Sequence, residues 1–223
     1  FSVYVMITLT VQAAGQFLIL LYEPNGVELF AITSILVTLA AIPIALSTSP
    51  APYIDQNTSF DLKKLYKISP AAVIGCLFIG LANGSFWSLA PIFISDVFAD
   101  ISFTAYFMTA VIVGGAIFQW PIGYLSDKIG RRKITIITAA FSATISFLIV
   151  SMIDTLNLSG LIITGIFWGG LTFPLYAVTV AHANDNAEPK EFVMVSSSLL
   201  LMYGLGAIIG PIISSGLMFV YQI

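Results

Sequence analysis

Seven long stretches of the chain carry no charged side chain and are separated by short polar breaks. They run 1–22, 29–54, 68–95, 101–126, 134–153, 155–181 and 192–223, each between 20 and 32 residues long. Crossing about 30 Å of hydrocarbon at 1.5 Å per residue takes about 20 apolar residues. Each stretch therefore holds one spanning helix, and none comfortably holds two. Strands of a membrane barrel are about 10 residues long and alternate in polarity, a pattern these stretches lack. The pattern predicts an all-α, polytopic membrane protein with seven transmembrane helices.

The breaks carry loop chemistry. Glu23-Pro24-Asn25-Gly26 reads as a tight turn. The longest connection, 48–67, contains Pro50, Pro52, Asp55, Asp61, Lys63, Lys64 and Lys67, and it is the natural domain boundary. It divides the chain into helices over 1–47, a central loop over 48–69 and a bundle over 70–223. All 8 Lys and Arg fall in three alternate loops: Lys63, Lys64 and Lys67; then Lys128, Arg131, Arg132 and Lys133; then Lys190. The turns between them hold only acids: Glu23, Glu28, Asp96, Asp100 and Asp154. Lys and Arg favour the cytoplasmic side, so loops 48–67, 127–133 and 182–191 are expected there. The chain starts apolar at Phe1 and stops inside an apolar run at Ile223. With no secretory leader in sight, it reads as an internal fragment of a longer protein.

Composition narrows the function. Hydrophobic residues make up 58% and charged residues 9%, against about 45–50% and about 25% in soluble domains. So few charges cannot cover a water-soluble surface, which excludes a soluble enzyme. A net charge of −3 leaves no basic footprint for nucleic acid. The single cysteine, Cys76, and single histidine, His182, exclude a disulfide framework and a multi-ligand metal site. No cofactor and no metal are expected.

Glycine sorts the helices. The spans beginning at 68, 101, 155 and 192 are glycine-rich, with small-xxx-small pairs at Gly80/Gly84, Gly165/Gly169 and Gly206/Gly210; the spans over 29–54 and 134–153 have none. Glycine lets helix backbones approach closely in lipid. The first group should be inner helices and the second pair should face lipid. Polar residues agree. Gln12 and Gln16 lie one turn apart on the first span, Asn83 and Trp87 on the third, and Gln119 on the fourth. Thr164, Trp168, Thr172 and Tyr176 form a stripe at every fourth residue of the sixth. Amides in hydrocarbon turn inward, either to an interhelical hydrogen bond or to a wet cavity. Both uses stay open for Gln12, Gln16 and Asn83, while packing or an interfacial place is the commoner use of Trp and Tyr.

One loop carries a specific signature. Gly123-Tyr124-Leu125-Ser126-Asp127-Lys128-Ile129-Gly130-Arg131-Arg132-Lys133 resembles the cytoplasmic loop of the major facilitator superfamily, G-x-L-x-D-[RK]-x-G-[RK]-[RK]. The matches are Gly123, Leu125, Asp127, Lys128, Gly130, Arg131 and Arg132. Each has a physical job to do: Gly123 permits close approach, Gly130 a positive φ, and Asp127 pairing with Arg131 or a helix N-terminus. The resemblance implies an incomplete bundle of that family's type, covering its helices five to eleven, with 48–69 as the loop between two halves. It further implies that the family's helices six and nine, here 29–54 and 134–153, are peripheral. The segments Pro174-Leu175-Tyr176, His182-Ala183-Asn184-Asp185 and Tyr203 to Pro211 are similar to a bacterial subgroup without an assigned substrate.

What the family resemblance implies is a secondary active transporter working by alternating access about a midplane site, embedded in the bilayer and monomeric when complete. Gly123, Asp127, Lys128, Gly130, Arg131 and Arg132 would form its conformational gate, with Asp127 opposite the start of the first helix. The lining candidates Gln12, Gln16, Asn83, Trp87, Gln119, Thr164, Trp168 and Tyr176 suit a small neutral or zwitterionic organic solute. No carboxylate lies mid-span, so a coupling proton or ion is not assigned. The alternatives are a seven-helix receptor or sensor, for which the last span lacks a retinal-type lysine, and a channel, for which no filter-like repeat appears.

Overall fold

The structure is a computed structural model that describes residues 2–22, 26–47, 61–98 and 100–221. Every regular element among them is helical: α1 (Ser2–Gly15), α2 (Glu28–Ala45), α3 (Leu62–Ile68), α4 (Pro70–Phe98), α5 (Ile101–Ile129), α6 (Arg131–Met152), α7 (Leu158–Thr172), α8 (Pro174–Asn184) and α9 (Phe192–Tyr221), with short 3-10 turns at Gln16–Leu20, Ile153–Thr155 and Pro189–Glu191. Five segments are long and apolar enough to cross a membrane: α4, α5, α6, α7 with α8, and α9. The first two predicted spans appear as shorter apolar helices, α1 with its 3-10 extension and α2. The turn at 23–25 and the central loop over 48–60 lie outside the described residues.

Local chemistry sets the helix ends. Ser69 Oγ accepts the Ala72 N–H at 3.3 Å, with Pro70 opening α4. Asp100 accepts the Ser102 N–H at 2.9 Å and Asn157 the Gly160 N–H at 2.8 Å, starting α5 and α7. Gly130 stops α5 with φ 108°, a conformation that disfavours any side chain. α7 and α8 are one predicted span divided at Phe173. Pro174 has no N–H, so it cannot bond the Gly170 carbonyl one turn back.

Glycine joins the helices in pairs. A Cβ on Gly80 or Gly84 would overlap the α9 backbone at Tyr203 or Ala207. One on Gly206 or Gly210 would overlap α4 at Leu77 or Leu81. The α5/α7 pair is built alike, with Gly114 against Ile166 and Gly169 against Val111. α6 packs outside α7 and α8 with much of its surface exposed, Phe141 and Phe147 among it. α2 is exposed nearly throughout.

Among the described residues there are three apolar cores: a smaller one joins Ile122, Ile134 and Val178, and the other two lie toward opposite ends. One joins α3, α4, α8 and α9 around Leu65, Cys76, Ala183, Val195 and Leu199. The other joins α4 to α7 around Ile94, Phe107, Val111, Ile149 and Leu161. The stretch expected to lie in the central loop thus includes a short helix, α3, that packs on the starts of α4 and α9, where Leu65 is fully buried.

Candidate transport cavity and signature loop

Near the middle of α4, Asn83 and Trp87 face a cavity of about 380 Å³. Its other walls are Leu9 and Gln12 of α1, Phe173 and Tyr176 at the α7–α8 break, and Leu200 and Tyr203 of α9. The break explains part of this wall, since it sets Phe173 beside Trp87, ring centroids 5.8 Å apart. Tyr176 and Tyr203 meet edge to face at 5.1 Å. Among the described residues, no charged side chain lines the cavity. Asn83 is 5% exposed, and its Oδ1 has no hydrogen-bond partner among the described residues.

Four of the lining candidates, Gln12, Asn83, Trp87 and Tyr176, meet at this cavity. The others stand elsewhere. Gln16 is half-buried, with Nε2 donating to the Gln12 carbonyl at 3.4 Å. Gln119 is half-buried on α5. Thr164 donates to its own helix, to Gly160 O at 2.9 Å. Trp168 turns to α6, donating from Nε1 to Ser146 Oγ at 2.8 Å, and Thr172 meets Ser142 at 2.6 Å. The regular stripe on the sixth span thus splits at Pro174: its first part packs on α6, and Tyr176 reaches the cavity. Phe173, Leu200, Tyr203 and Leu9 were not singled out from sequence. Tyr203 had a signal, since it precedes the glycines at which α4 and α9 touch.

The signature loop closes the basic end of the bundle. Arg131 Nη1 donates to Asp127 Oδ1 at 2.8 Å across the Gly130 turn, while its Nε donates to Asp185 Oδ2 at the end of α8. One guanidinium thereby ties α5, α6 and α8, a use of its fork-like donors that lysine lacks. Lys128 Nζ lies 4.5 Å over the Tyr124 ring, which stacks on Trp120. Gly130 makes the turn, Arg132 is exposed, and a Cβ on Gly123 would meet nothing within 4 Å. The expected neighbour of Asp127, the start of the first helix, falls among side chains outside the described ones.

α1 touches α5 toward the opposite end. Thr109 donates to the Ala13 carbonyl at 3.4 Å, and Phe17 meets Tyr106 edge to face at 5.9 Å. Further along α5 toward the signature loop, Trp120 is 74% exposed and Tyr124 46%.

The Major Facilitator Superfamily model matches residues 72–222. The chain is 27% identical over 184 residues to the "Uncharacterized MFS-type transporter YcaD" of Escherichia coli O17:K52:H18, covering 81% of this chain and 47% of that protein. The protein of the same name from Shigella flexneri serotype 5b gives the same identity and coverage. The chain thus spans about half the length of the curated relatives it matches. No solved structure matches significantly. The family match reaches from the third predicted span to the last and contains the whole signature loop, and the chain belongs to the major facilitator superfamily.

Proposed function

We propose that the complete protein is a secondary active transporter of a small neutral or zwitterionic organic solute, working by alternating access, with the cavity between α1 and α4, α8 and α9 as its solute site. The observation that carries this reading is the cavity's place and lining. It lies across the boundary between the helix before the central loop and those after it, and amide and aromatic groups line it without a charge. Two bundles rocking about such a site would expose it to each side in turn. With the basic loops as the cytoplasmic side, the α1/α5 contact near Ala13 and Phe17 is the outer closure. The signature loop is then the inner gate, and the α5 face bearing Trp120 and Tyr124 is where α1 closes in the other state.

The test is transport by the complete protein in vesicles, against neutral, zwitterionic and anionic organic solutes. Asn83→Leu is expected to cut movement of the accepted solute by about tenfold or more, the cost of about one lost buried hydrogen bond, with normal amounts of folded protein. Transport confined to anions, or untouched by Asn83→Leu and Gln12→Leu, would overturn this assignment of the cavity.

A further inference from the structure

α3 is 7 residues long, packs where α4 and α9 begin, and turns its residues to two different surroundings. Leu65 is fully buried, Ile68 packs on the same core, and Lys64 Nζ holds Glu191 Oε1 at 2.6 Å. At about 100° per residue these three share one side of the helix. The other side is divided lengthwise. Leu62 and Tyr66, one turn apart, are 37% and 52% exposed. Lys63 and Lys67, also one turn apart, are exposed and form no ion pair among the described residues. The nearby Asp61 carboxylate caps the helix, accepting the Lys64 N–H at 2.9 Å. Beyond Ser69 the chain enters α4, a membrane-length helix, so α3 stands at the membrane boundary.

A helix wholly in water has no reason to sort its outward residues into an apolar strip beside a cationic one. At the edge of a bilayer both strips are satisfied: the apolar one among the upper acyl chains, the cationic one by phosphate. We propose that α3 is a lipid-docking helix, with Leu62 and Tyr66 in the headgroup region and Lys63 and Lys67 binding the phosphates of anionic lipids. Because Leu65 and Lys64 fix α3 to the start of α9, the bundle itself makes this contact.

The test uses the intact protein with a spin label at Tyr66→Cys, and separately at Leu62→Cys, other accessible cysteines being replaced. Vesicles are pure phosphatidylcholine or contain phosphatidylglycerol. With phosphatidylglycerol, the label should be more accessible to oxygen than to a water-soluble nickel chelate. That preference should fall in pure phosphatidylcholine and in K63Q/K67Q, and each lysine lost should weaken phosphatidylglycerol binding by about fivefold. A label equally open to nickel in both vesicles would place α3 in water and overturn the proposal. A label in lipid in both vesicles and indifferent to K63Q/K67Q would overturn the headgroup site.

Discussion

Two seams of one bundle hold their helices by different means. Along α4/α9, Gly80 and Gly84 lie against the α9 backbone, and Gly206 and Gly210 lie against that of α4. Along α6/α7, α6 has no glycine, and the contact runs through Ser142 with Thr172 and Ser146 with Trp168. In lipid no hydrophobic force separates packed helices from dispersed ones, so association rests on close packing and interhelical hydrogen bonds. The first seam relies mainly on close packing, which admits no larger side chain at its glycines, with one hydroxyl contact beyond them, Ser214 Oγ to Ser85 Oγ at 2.8 Å. The second depends on matched hydroxyl and indole groups. A glycine-packed helix and the more exposed α6 thus meet their neighbours under different constraints.

The sharpest break of this comparison is Gly206→Ala against Gly204→Ala. At Gly206 the added methyl meets the Leu77 carbonyl, while at Gly204 it meets nothing within 4 Å. Overpacking costs about 1–3 kcal/mol even where side chains can yield, and here backbone must move. Gly206→Ala should therefore lose at least about 3 kcal/mol, read as a lower unfolding midpoint and less folded protein. Gly204→Ala should be neutral, or stabilising by up to about 1 kcal/mol. Equal damage at both positions would mean that the seam is not where the bundle's stability lies.

The hydroxyl seam should respond more mildly. Ser142→Ala removes one interhelical hydrogen bond, worth about 0.6 kcal/mol on average and up to about 1.7 kcal/mol in membrane helices. A double-mutant cycle with Thr172→Val should recover most of that as coupling, since Ser142 and Thr172 bond each other. Zero coupling would mean that α6/α7 is held by packing rather than by this bond.

These seams were unequally legible in the sequence. Small-xxx-small spacing at Gly80/Gly84 and Gly206/Gly210 pointed to close helices because the reason for glycine is local: it is the missing Cβ. The pairing of Asp127 with Arg131 was legible for a similar reason, the two flanking one tight turn four residues apart. Asp185, the other partner of Arg131, lies 54 residues away, and a carboxylate at a span end gives no sign of its partner. Trp168 and Thr164 looked like lining residues because they share a stripe with Tyr176. The stripe assumes a single straight helix, and the division at Phe173–Pro174 sends its two parts to different neighbours. α3 was read as loop because lysines dominate it, although one buried leucine suffices to dock so short a helix. The seven apolar stretches were the most legible feature, yet only five reach membrane-spanning length among the described residues.

Charge pairs at the basic end form a third kind of contact. Asp127 and Asp185 are 62% and 53% exposed as side chains, and exposed pairs are worth about 0.2–1 kcal/mol. Asp127→Asn and Asp185→Asn should each leave the unfolding midpoint nearly unchanged in the complete protein. If the gate reading holds, Asp127→Asn should raise the inward-open population and slow transport. Distances between spin labels on the two bundles would show it. An unchanged distribution with wild-type transport would leave Asp127 as a loop anchor.

The smallest effect separates packed seams from charged ones by pH. The glycine seam, residues 77–84 against 203–210, has no carboxylate or histidine, so acid should not open it. The floor contact of α3 does. Glu191 bonds Lys64 and also accepts the Glu188 N–H at 3.0 Å, and these contacts hold its carboxyl below the ordinary range, the Lys64 hydrogen bond most of all. A depressed folded value means the contact contributes fully above the ordinary glutamate pKa of about 4.3 and is lost as pH falls through the folded value. Lys190 has the opposite sign. Its hydrogen bond to Glu188 raises its pKa, so that contribution is complete below the ordinary lysine value and fades only in strong alkali. Between the two windows the floor should be insensitive to pH. Acidifying from neutral to about pH 3 should mobilise a spin label at Leu62→Cys, while a label beside Gly204 stays fixed. Lys64→Gln should show the mobile spectrum already at neutral pH, with no further acid step. If the label is equally immobile at both ends of the titration and in Lys64→Gln, then Leu65 alone holds α3 and the ion pair adds nothing to it.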